Sequence, residues 1–515
     1  GDDNLLHNNR PHTFHVRNKC SKGAAQLAIW RGQDLDSILT FDDFDSALEV
    51  EDKVRVLKSL CLFQTLSKQQ LTRLANVLKI LLVNVGEMIF GQGQPGTHMY
   101  IIRKGLVLIE IDGVRIRTMG TGDYFGERAL LSTEFRTASV TATEDSELWM
   151  MDKQTFEEVM YGPCLDYLTA RIALQDTRLN LSDLTFVRVI GRGGFGVVKM
   201  VRAEKTGFRY ALKVVKKRDV VERSFQDAIN SERSILAEVD HPFIVKFVRS
   251  FKSETRVYFL MEVVTGGELL GALEALGLLK HEQAEFYTGS IVLALEFLHA
   301  RRIAYLDLKS ENCLVDHQGY LKIIDFGIAQ RITGTRCHVV KGTPIFMAPE
   351  MVLGRGYTTV ADLWSLGVCL YEFLIGDFPF GNNSMNHGQI FHEVLRGQLC
   401  FPVWFQKQPK AAEAMSLLRG LLTRDPAQRA GAGFDGHAQL KQNAFFAGFC
   451  WDKLLGRELK PPYLPACETY AEDKECGTAG QQPAGPTANL AEMEAAEAEQ
   501  DGSWQDPRPG WDAEF

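Results

Sequence analysis

Between Leu81 and Ala142 the apolar residues come in short runs broken by glycine. Leu81-Leu82-Val83, Met88-Ile89-Phe90, Met99-Tyr100-Ile101-Ile102, Val107-Leu108-Ile109 and Ala138-Ser139-Val140-Thr141-Ala142 are each long enough only for a strand. Gly86, Gly91, Gly93, Gly96, Gly105, Gly113, Gly120 and Gly122 stand between them. Closely spaced β-rich runs with turn glycines predict a small barrel or jelly roll. Upstream the period is helical: Leu35, Ile38 and Leu39, then Val54, Val56, Leu57 and Leu60, predict a connecting helix over about 34–60. Helical stretches are expected again near 152–160 and 165–179. From Leu184 to Glu262 the pattern is β-rich, and from 263 to about Trp451 it is mostly helical. A small β lobe followed by a larger α lobe predicts two bodies meeting at a cleft. The stretch of about 471–510 is rich in Ala, Glu, Gln, Gly and Pro, and its composition predicts disorder. The fold class is therefore multidomain α+β, with no repeat within the chain.

Composition narrows the function classes. The 515 residues carry 57 Lys and Arg against 65 Asp and Glu, a net charge of −8. A nucleic-acid surface needs a basic excess, so nucleic acid is not expected as the main partner. No apolar run approaches the roughly 18 residues of a membrane span; the run Leu78–Val85 is broken by Lys79 and Asn84. The 10 cysteines, spread from Cys20 to Cys476, include no C-x-x-C pair. That usage suits reduced thiols inside a cell, not a disulfide framework or a zinc site. The first residues are Gly1-Asp2, not Met, so the chain reads as a fragment.

The β lobe contains Gly191-Arg192-Gly193-Gly194-Phe195-Gly196-Val197-Val198 between two strand-like runs. Glycines let the backbone approach phosphate and aim N–H groups at it. Alone the motif is equally a tight hairpin turn, but a strand follows it, which argues against a dinucleotide fold. Lys213 lies in the apolar run Tyr210-Ala211-Leu212-Lys213 and would be buried unless paired, and Glu232, in the helical stretch 222–239, can pair with it. Tyr305-Leu306-Asp307-Leu308-Lys309-Ser310-Glu311-Asn312, Ile324-Asp325-Phe326-Gly327 and Ala348-Pro349-Glu350 follow in order.

Together these motifs resemble the eukaryotic protein kinases over about 184–451. The resemblance implies that Lys213, held by Glu232, contacts the α- and β-phosphates of ATP, and that Asn312 and Asp325 hold Mg²⁺. It implies that Asp307 accepts the substrate hydroxyl and that Lys309 neutralises charge on the transferring phosphoryl. Ile190, Gly191, Gly193, Gly194, Gly196, Val198 and Ala211 would enclose ATP. Met261 would be the gatekeeper, Glu262 and Val264 the hinge, and Glu268 the ribose contact. Glu350 is expected to pair with Arg429, and Asp362 to brace the catalytic loop. Glu268, Glu311 and Glu372 match acidic positions of the basophilic AGC kinases, implying a Ser/Thr substrate with basic residues before the target. The chain departs from the pattern at Leu306, where an arginine usually pairs with a phosphorylated activation loop, and at Val339, where the acceptor would stand. Losing both partners is self-consistent and implies that no activation-loop phosphate is needed.

Phe125-Gly126-Glu127-Arg128-Ala129-Leu130, then Phe135-Arg136-Thr137-Ala138, resemble the phosphate-binding cassette of cyclic-nucleotide-binding domains. A helix turn after Gly126 would offer N–H groups to an anion, with Ala129 in that turn. Arg136 would fork onto the cyclic phosphate, and Glu127 would accept from the ribose 2′-OH. Thr137 directly after the arginine favours guanine in that family, so cGMP is expected over cAMP. The two modules together resemble the family of cGMP-dependent protein kinases, most closely the alveolate type. That family implies further cyclic-nucleotide domains upstream and a capping triad at Arg128, Gln175 and Asp176. The expected domains are an N-terminal segment and connecting helix (1–60), a jelly-roll cyclic-nucleotide-binding domain (61–180), a bilobal kinase domain (184–446) and an AGC-type tail (447–515). The partners implied are ATP, cGMP and protein substrates, for a cytoplasmic monomer, with membrane attachment through an upstream segment left open. A cyclic-nucleotide-sensing scaffold with an inactive kinase lobe and a cAMP-activated kinase are the alternatives.

Overall fold

The computed structural model describes residues 68–128, 135–159 and 179–469, except 194–195, 335, 340, 383–384 and 434, with parts of 50–66, Leu174, Leu490 and most of 506–515. The chain divides into two compact units, Gly1–Leu78 and Lys79–Phe515. In the first unit residues 50–54 and 56–57 are helical, agreeing with the end of the expected connecting helix; the rest of that helix lies outside the described residues. Helix α1 (Lys68–Val77) follows, with Leu71, Leu74 and Ala75 buried at the i, i+3, i+4 spacing of one face.

The second unit opens with eight strands: β1 (Lys79–Val83), β2 (Met88–Phe90), β3 (His98–Lys104), β4 (Leu106–Ile111), β5 (Val114–Gly120), β6 (Tyr124–Phe125), β7 (Ser139–Ala142) and β8 (Ser146–Asp152). They form two antiparallel four-stranded sheets, ordered β1-β8-β3-β6 and β2-β7-β4-β5. Val83, Ile102, Val107, Val140 and Leu148 fill the space between the sheets. Phe90, Tyr100 and Phe125 cluster there, with the Tyr100 and Phe125 rings stacked at 5.2 Å. This is the jelly roll the glycine-punctuated pattern predicts. Its β5 and β8 were hidden in the sequence by charged and methionine-rich positions. Helix α2 (Lys153–Val159) follows β8; the expected helix over 165–179 lies almost wholly outside the described residues.

The β-rich lobe is a five-stranded antiparallel sheet ordered β12-β13-β11-β10-β9. Its strands are β9 (Leu184–Gly193), β10 (Gly196–Ala203), β11 (Arg209–Lys216), β12 (Phe247–Lys252) and β13 (Arg256–Glu262). Between β11 and β12 the helix expected over 222–239 is α4 (Gln226–Glu238), and a separate, unexpected helix, α3 (Lys217–Glu222), precedes it. The break falls at Ser224, whose φ of 56° is incompatible with continuing a helix. The larger lobe is helical, built around α5 (Leu269–Leu276), α6 (His281–Ala300) and later α7 (Pro349–Val352) and α8 (Ala361–Ile375). α6 is buried along most of its length and α8 nearly all round, and they form its centre. Four short strands, β14 (Ile303–Ala304), β15 (Cys313–Val315), β16 (Leu321–Ile323) and β17 (Gln330–Arg331), lie between them in sequence, paired as β14-β17 and β15-β16. They carry the loops that face the cleft. Among the described residues no helix is long and apolar enough to cross a membrane.

Candidate functional site

The catalytic cleft is assembled from groups more than a hundred residues apart. β11 places Lys213 opposite Phe259 of β13 and Val198 of β10. From this buried strand Lys213 Nζ reaches Glu232 Oε1 on α4 at 2.6 Å and Asp325 Oδ1 at 3.4 Å. Burial works against the ammonium, but the two carboxylates outweigh it and hold its pKa above the ordinary lysine value. The Lys213 charge in turn holds the Asp325 carboxyl below the usual carboxylate range, and the Gly327 N–H adds to this at 3.1 Å. Asp325 sits at φ 58°, a left-handed conformation that aims its carboxylate back at the lysine.

A second cluster centres on Asp307. Asn312 Nδ2 donates to Asp307 Oδ2 at 2.7 Å, the Thr343 hydroxyl donates to Oδ1 at 2.8 Å, and Lys309 Nζ lies 3.1 Å from Oδ2. Lys309 also donates to the Thr343 hydroxyl at 3.0 Å. Thr343 is thus a member of the site that sequence reading missed; its place in Gly342-Thr343-Pro344 was the available signal. Asp362, fully buried at the start of α8, accepts the N–H groups of Tyr305 and Leu306 at 2.9 and 2.8 Å and so braces the loop as expected. Glu350 and Arg429 form the expected buried pair, bidentate at 2.8 Å on both arms.

Of the residues expected around ATP, Ile190, Gly191 and Gly193 lie on β9, Gly196 and Val198 on β10, Ala211 on β11, and Met261 and Glu262 at the end of β13. A side chain at Gly196 would lie 1.9 Å from the Val214 carbonyl, so the close strand approach requires glycine there. Gly194 lies outside the described residues. Val264 is buried just beyond β13, and Glu268 is exposed at the start of α5. Glu262 is committed to Lys322 Nζ at 2.6 Å, leaving its backbone as the hinge contact. Glu311 and Glu372 are brought together by Ser310, whose hydroxyl lies 3.0 Å from Glu372 Oε2 and 3.4 Å from Glu311 Oε2. Burial, with the neighbouring Glu311 charge, pushes the Glu372 carboxyl up to about 7.

The cassette of the jelly roll is equally specific. Gly126 has φ 86°, and a side chain there would lie 2.7 Å from Arg136 Nη1. Arg136 is buried, donates to the Gly126 and His98 carbonyls at 2.8 and 2.6 Å, and lies over the Phe90 ring at 4.0 Å. Its Nε is buried with no partner among the described residues. Burial lowers its pKa, which Tyr100 and Glu127 partly oppose. Glu127, Arg136 and Thr137 line one cavity. Arg128 lines it too. Ala129, Gln175 and Asp176 lie outside the described residues.

The C-terminal end of the chain docks on the β-rich lobe. Asn230 donates to the Trp511 carbonyl at 2.7 Å, Lys217 pairs with Asp512 at 2.5 Å, and Phe515 meets Phe259 edge-on at 5.3 Å. Upstream, Glu468 pairs with Arg209 at 2.6 Å.

Comparison with known proteins agrees with this geometry. Residues 184–446 match the protein kinase domain family, and residues 82–161 match the cyclic nucleotide-binding domain family. The chain is 46% identical over 476 residues to a cGMP-dependent protein kinase of Toxoplasma gondii, covering 92% of this chain and 47% of the relative. It is 45% identical over 449 residues to a cGMP-dependent protein kinase of Plasmodium berghei, covering 87% and 52%. A cGMP-dependent protein kinase, isozyme 1, of Drosophila melanogaster is 32% identical over 451 residues, covering 81% and 58%. The chain spans about half the length of the apicomplexan relatives. With a matched catalytic domain whose Lys213–Glu232 pair and Asp307 cluster are assembled, the chain belongs to the protein kinase family and carries a cyclic nucleotide-binding domain ahead of its catalytic domain.

Proposed function

We propose that the chain is a cGMP-activated serine/threonine kinase that transfers the γ-phosphoryl of ATP to hydroxyls preceded by basic residues. The domains are assigned as 61–180 for nucleotide sensing, 184–446 for catalysis and 447–515 for the tail. The observation that carries the cyclic-nucleotide reading is Arg136: a buried guanidinium with an unpartnered Nε, in a cavity lined by Glu127 and Thr137, suits a small anion with a sugar attached.

In the catalytic lobe the carboxylate of Asp307 receives the substrate hydroxyl and accepts its proton. Thr343, Asn312 and Lys309 fix the orientation of that carboxylate. Asn312 donates through Nδ2, which leaves its carbonyl oxygen to ligate, and Asp325 spends Oδ1 on Lys213 and Gly327, which leaves Oδ2. Hard oxygen donors of this kind fit Mg²⁺. When bound, Mg²⁺ neutralises phosphate charge. Lys213 orients the α- and β-phosphates, and Lys309 offsets the charge of the transferred group. Glu311 and Glu372, with Glu268, receive the basic residues of the substrate. Arg128, Gln175 and Asp176 close the nucleotide site.

The test is phosphorylation of an arginine-rich serine peptide with Mg·ATP while cGMP and cAMP are titrated. Activation at lower cGMP than cAMP is expected, and Thr137→Ala should weaken cGMP far more than cAMP. Turnover that ignores both nucleotides removes the gating role, and half-activation at lower cAMP reverses the ligand.

A further inference from the structure

The cavity that holds Arg136 is not enclosed by the jelly roll alone. Its lining includes Leu236 and Ala237 from the last turn of α4, Val239 and Asp240 from the loop after it, and Lys246 just before β12. β5 of the jelly roll packs on α4 in the same region. Asp240 Oδ1 and Lys246 Nζ are 2.8 Å apart, and both side chains are mostly buried. The loop is tied to the catalytic machinery in two ways. The Val239 N–H closes the last turn of α4 on the Ile235 carbonyl, and Glu232 lies on that helix, about 10 Å away at roughly 1.5 Å per residue. Lys246 donates its N–H to Glu262 Oε1 at 2.7 Å and accepts the Glu262 N–H at 2.9 Å, so it is bonded to the expected ATP hinge.

We propose that the catalytic lobe forms one wall of the cyclic-nucleotide site and that Asp240 is its specificity-determining acceptor for guanine. The proposal rests on the cyclic-nucleotide reading of the Arg136 cavity. Guanine presents two adjacent donors, N1–H and the 2-amino group, which match the two oxygens of a carboxylate. Adenine presents a ring acceptor at N1, which a carboxylate repels. Pairing with Lys246 orients the Asp240 carboxylate in the cavity wall. The 2-amino group carries two hydrogens, so Thr137 and Asp240 can share it. Nucleotide entry then bears directly on the end of α4, the helix that carries Glu232, and on Lys246, which is bonded to the hinge residue Glu262.

The experiment is equilibrium binding of cGMP and cAMP to the full chain, by displacement of a fluorescent cyclic nucleotide, for the unmodified protein, Asp240→Asn, Ala237→Phe and Arg136→Ala. Thermal melting checks the folding of each variant. D240N is expected to weaken cGMP roughly tenfold to a hundredfold and to leave cAMP unchanged or tighter. A237F, which fills the wall, is expected to weaken both. Equal shifts for both nucleotides in D240N overturn the guanine role, and binding unaffected by D240N and A237F overturns the wall. If R136A abolishes binding while those two do not, the barrel reading stands and only this proposal falls. If the unmodified chain binds neither nucleotide, both fall.

Discussion

Leu306 changes how the catalytic loop handles charge. It is buried, it has φ 70°, and its N–H is held by Asp362. A bulky residue in the left-handed region is strained and persists only when its surroundings fix it. Restoring the arginine would bury a guanidinium beside an activation loop whose Val339 offers no phosphate. Leu306→Arg should therefore lower stability by about 3 kcal/mol, read by chemical denaturation; unchanged stability would show that the side chain escapes to solvent. Glu372 makes a different prediction. With its carboxyl pushed up to about 7, it is mainly neutral at pH 6 and ionised at pH 8. The preference for an arginine-containing peptide over its alanine counterpart should rise across that interval, and Glu372→Gln should flatten the rise. The KM ratio of the two peptides against pH is the measurement. The folded chain holds this proton more tightly than the unfolded one, so its contribution to stability is complete below the ordinary glutamate pKa and fades as pH rises through about 7.

At the scale of elements, backbone and side-chain contacts tie down the activation segment. Cys337 and Tyr357 pair as an isolated bridge, and the Tyr357 hydroxyl donates to the Val339 carbonyl at 2.8 Å. One neutral hydrogen bond is worth about 1 kcal/mol, so Tyr357→Phe should lower kcat/KM roughly fivefold and raise hydrogen exchange over 332–343. Phosphatase treatment should leave the unmodified enzyme active; loss of activity, with phosphate found on Thr333, Thr335 or Thr343, would end the idea. Elements also show what the sequence made legible. Lys213, Glu232, Asp307, Asn312 and Asp325, which the fold brings together in two clusters, were legible because their motifs set charged and amide residues at fixed spacings, and the Gly126–Arg136 cassette was legible in the same way. Thr343 and Ser310 were missed as site members because a hydroxyl has no pattern until its partners are in space. Helix α3 was missed because its six residues carry only two apolar positions, Val220 and Val221, too few to show a period. The catalytic-lobe lining of the Arg136 cavity was invisible because it depends on packing between domains, which no local pattern encodes.

At the scale of the second unit, one polar contact between the jelly roll and the catalytic lobe is well placed to transmit a nucleotide signal. Asp123, between β5 and β6, pairs with Arg301 at the end of α6 at 3.3 Å, with both side chains mostly buried. Arg301 also lies over the Phe297 ring at 3.7 Å, which fixes the guanidinium on the catalytic side. Asp123 has a second duty, accepting the Gly120 N–H at 2.9 Å, so the same carboxylate links the β5–β6 turn to the catalytic lobe. Allosteric couplings typically amount to about 1–3 kcal/mol. A partly buried charge-assisted contact is of that order, and losing about 1 kcal/mol of it is a fivefold effect. Asp123→Asn keeps an acceptor for the turn while removing the charge. D123N and Arg301→Gln should each shrink the ratio of activity with and without cGMP roughly fivefold, and the double variant should lose no more than either alone. Additive losses would place the two residues on separate routes. An unchanged ratio in all three variants would mean that the contact only glues the domains together, leaving the end of α4 to carry the signal.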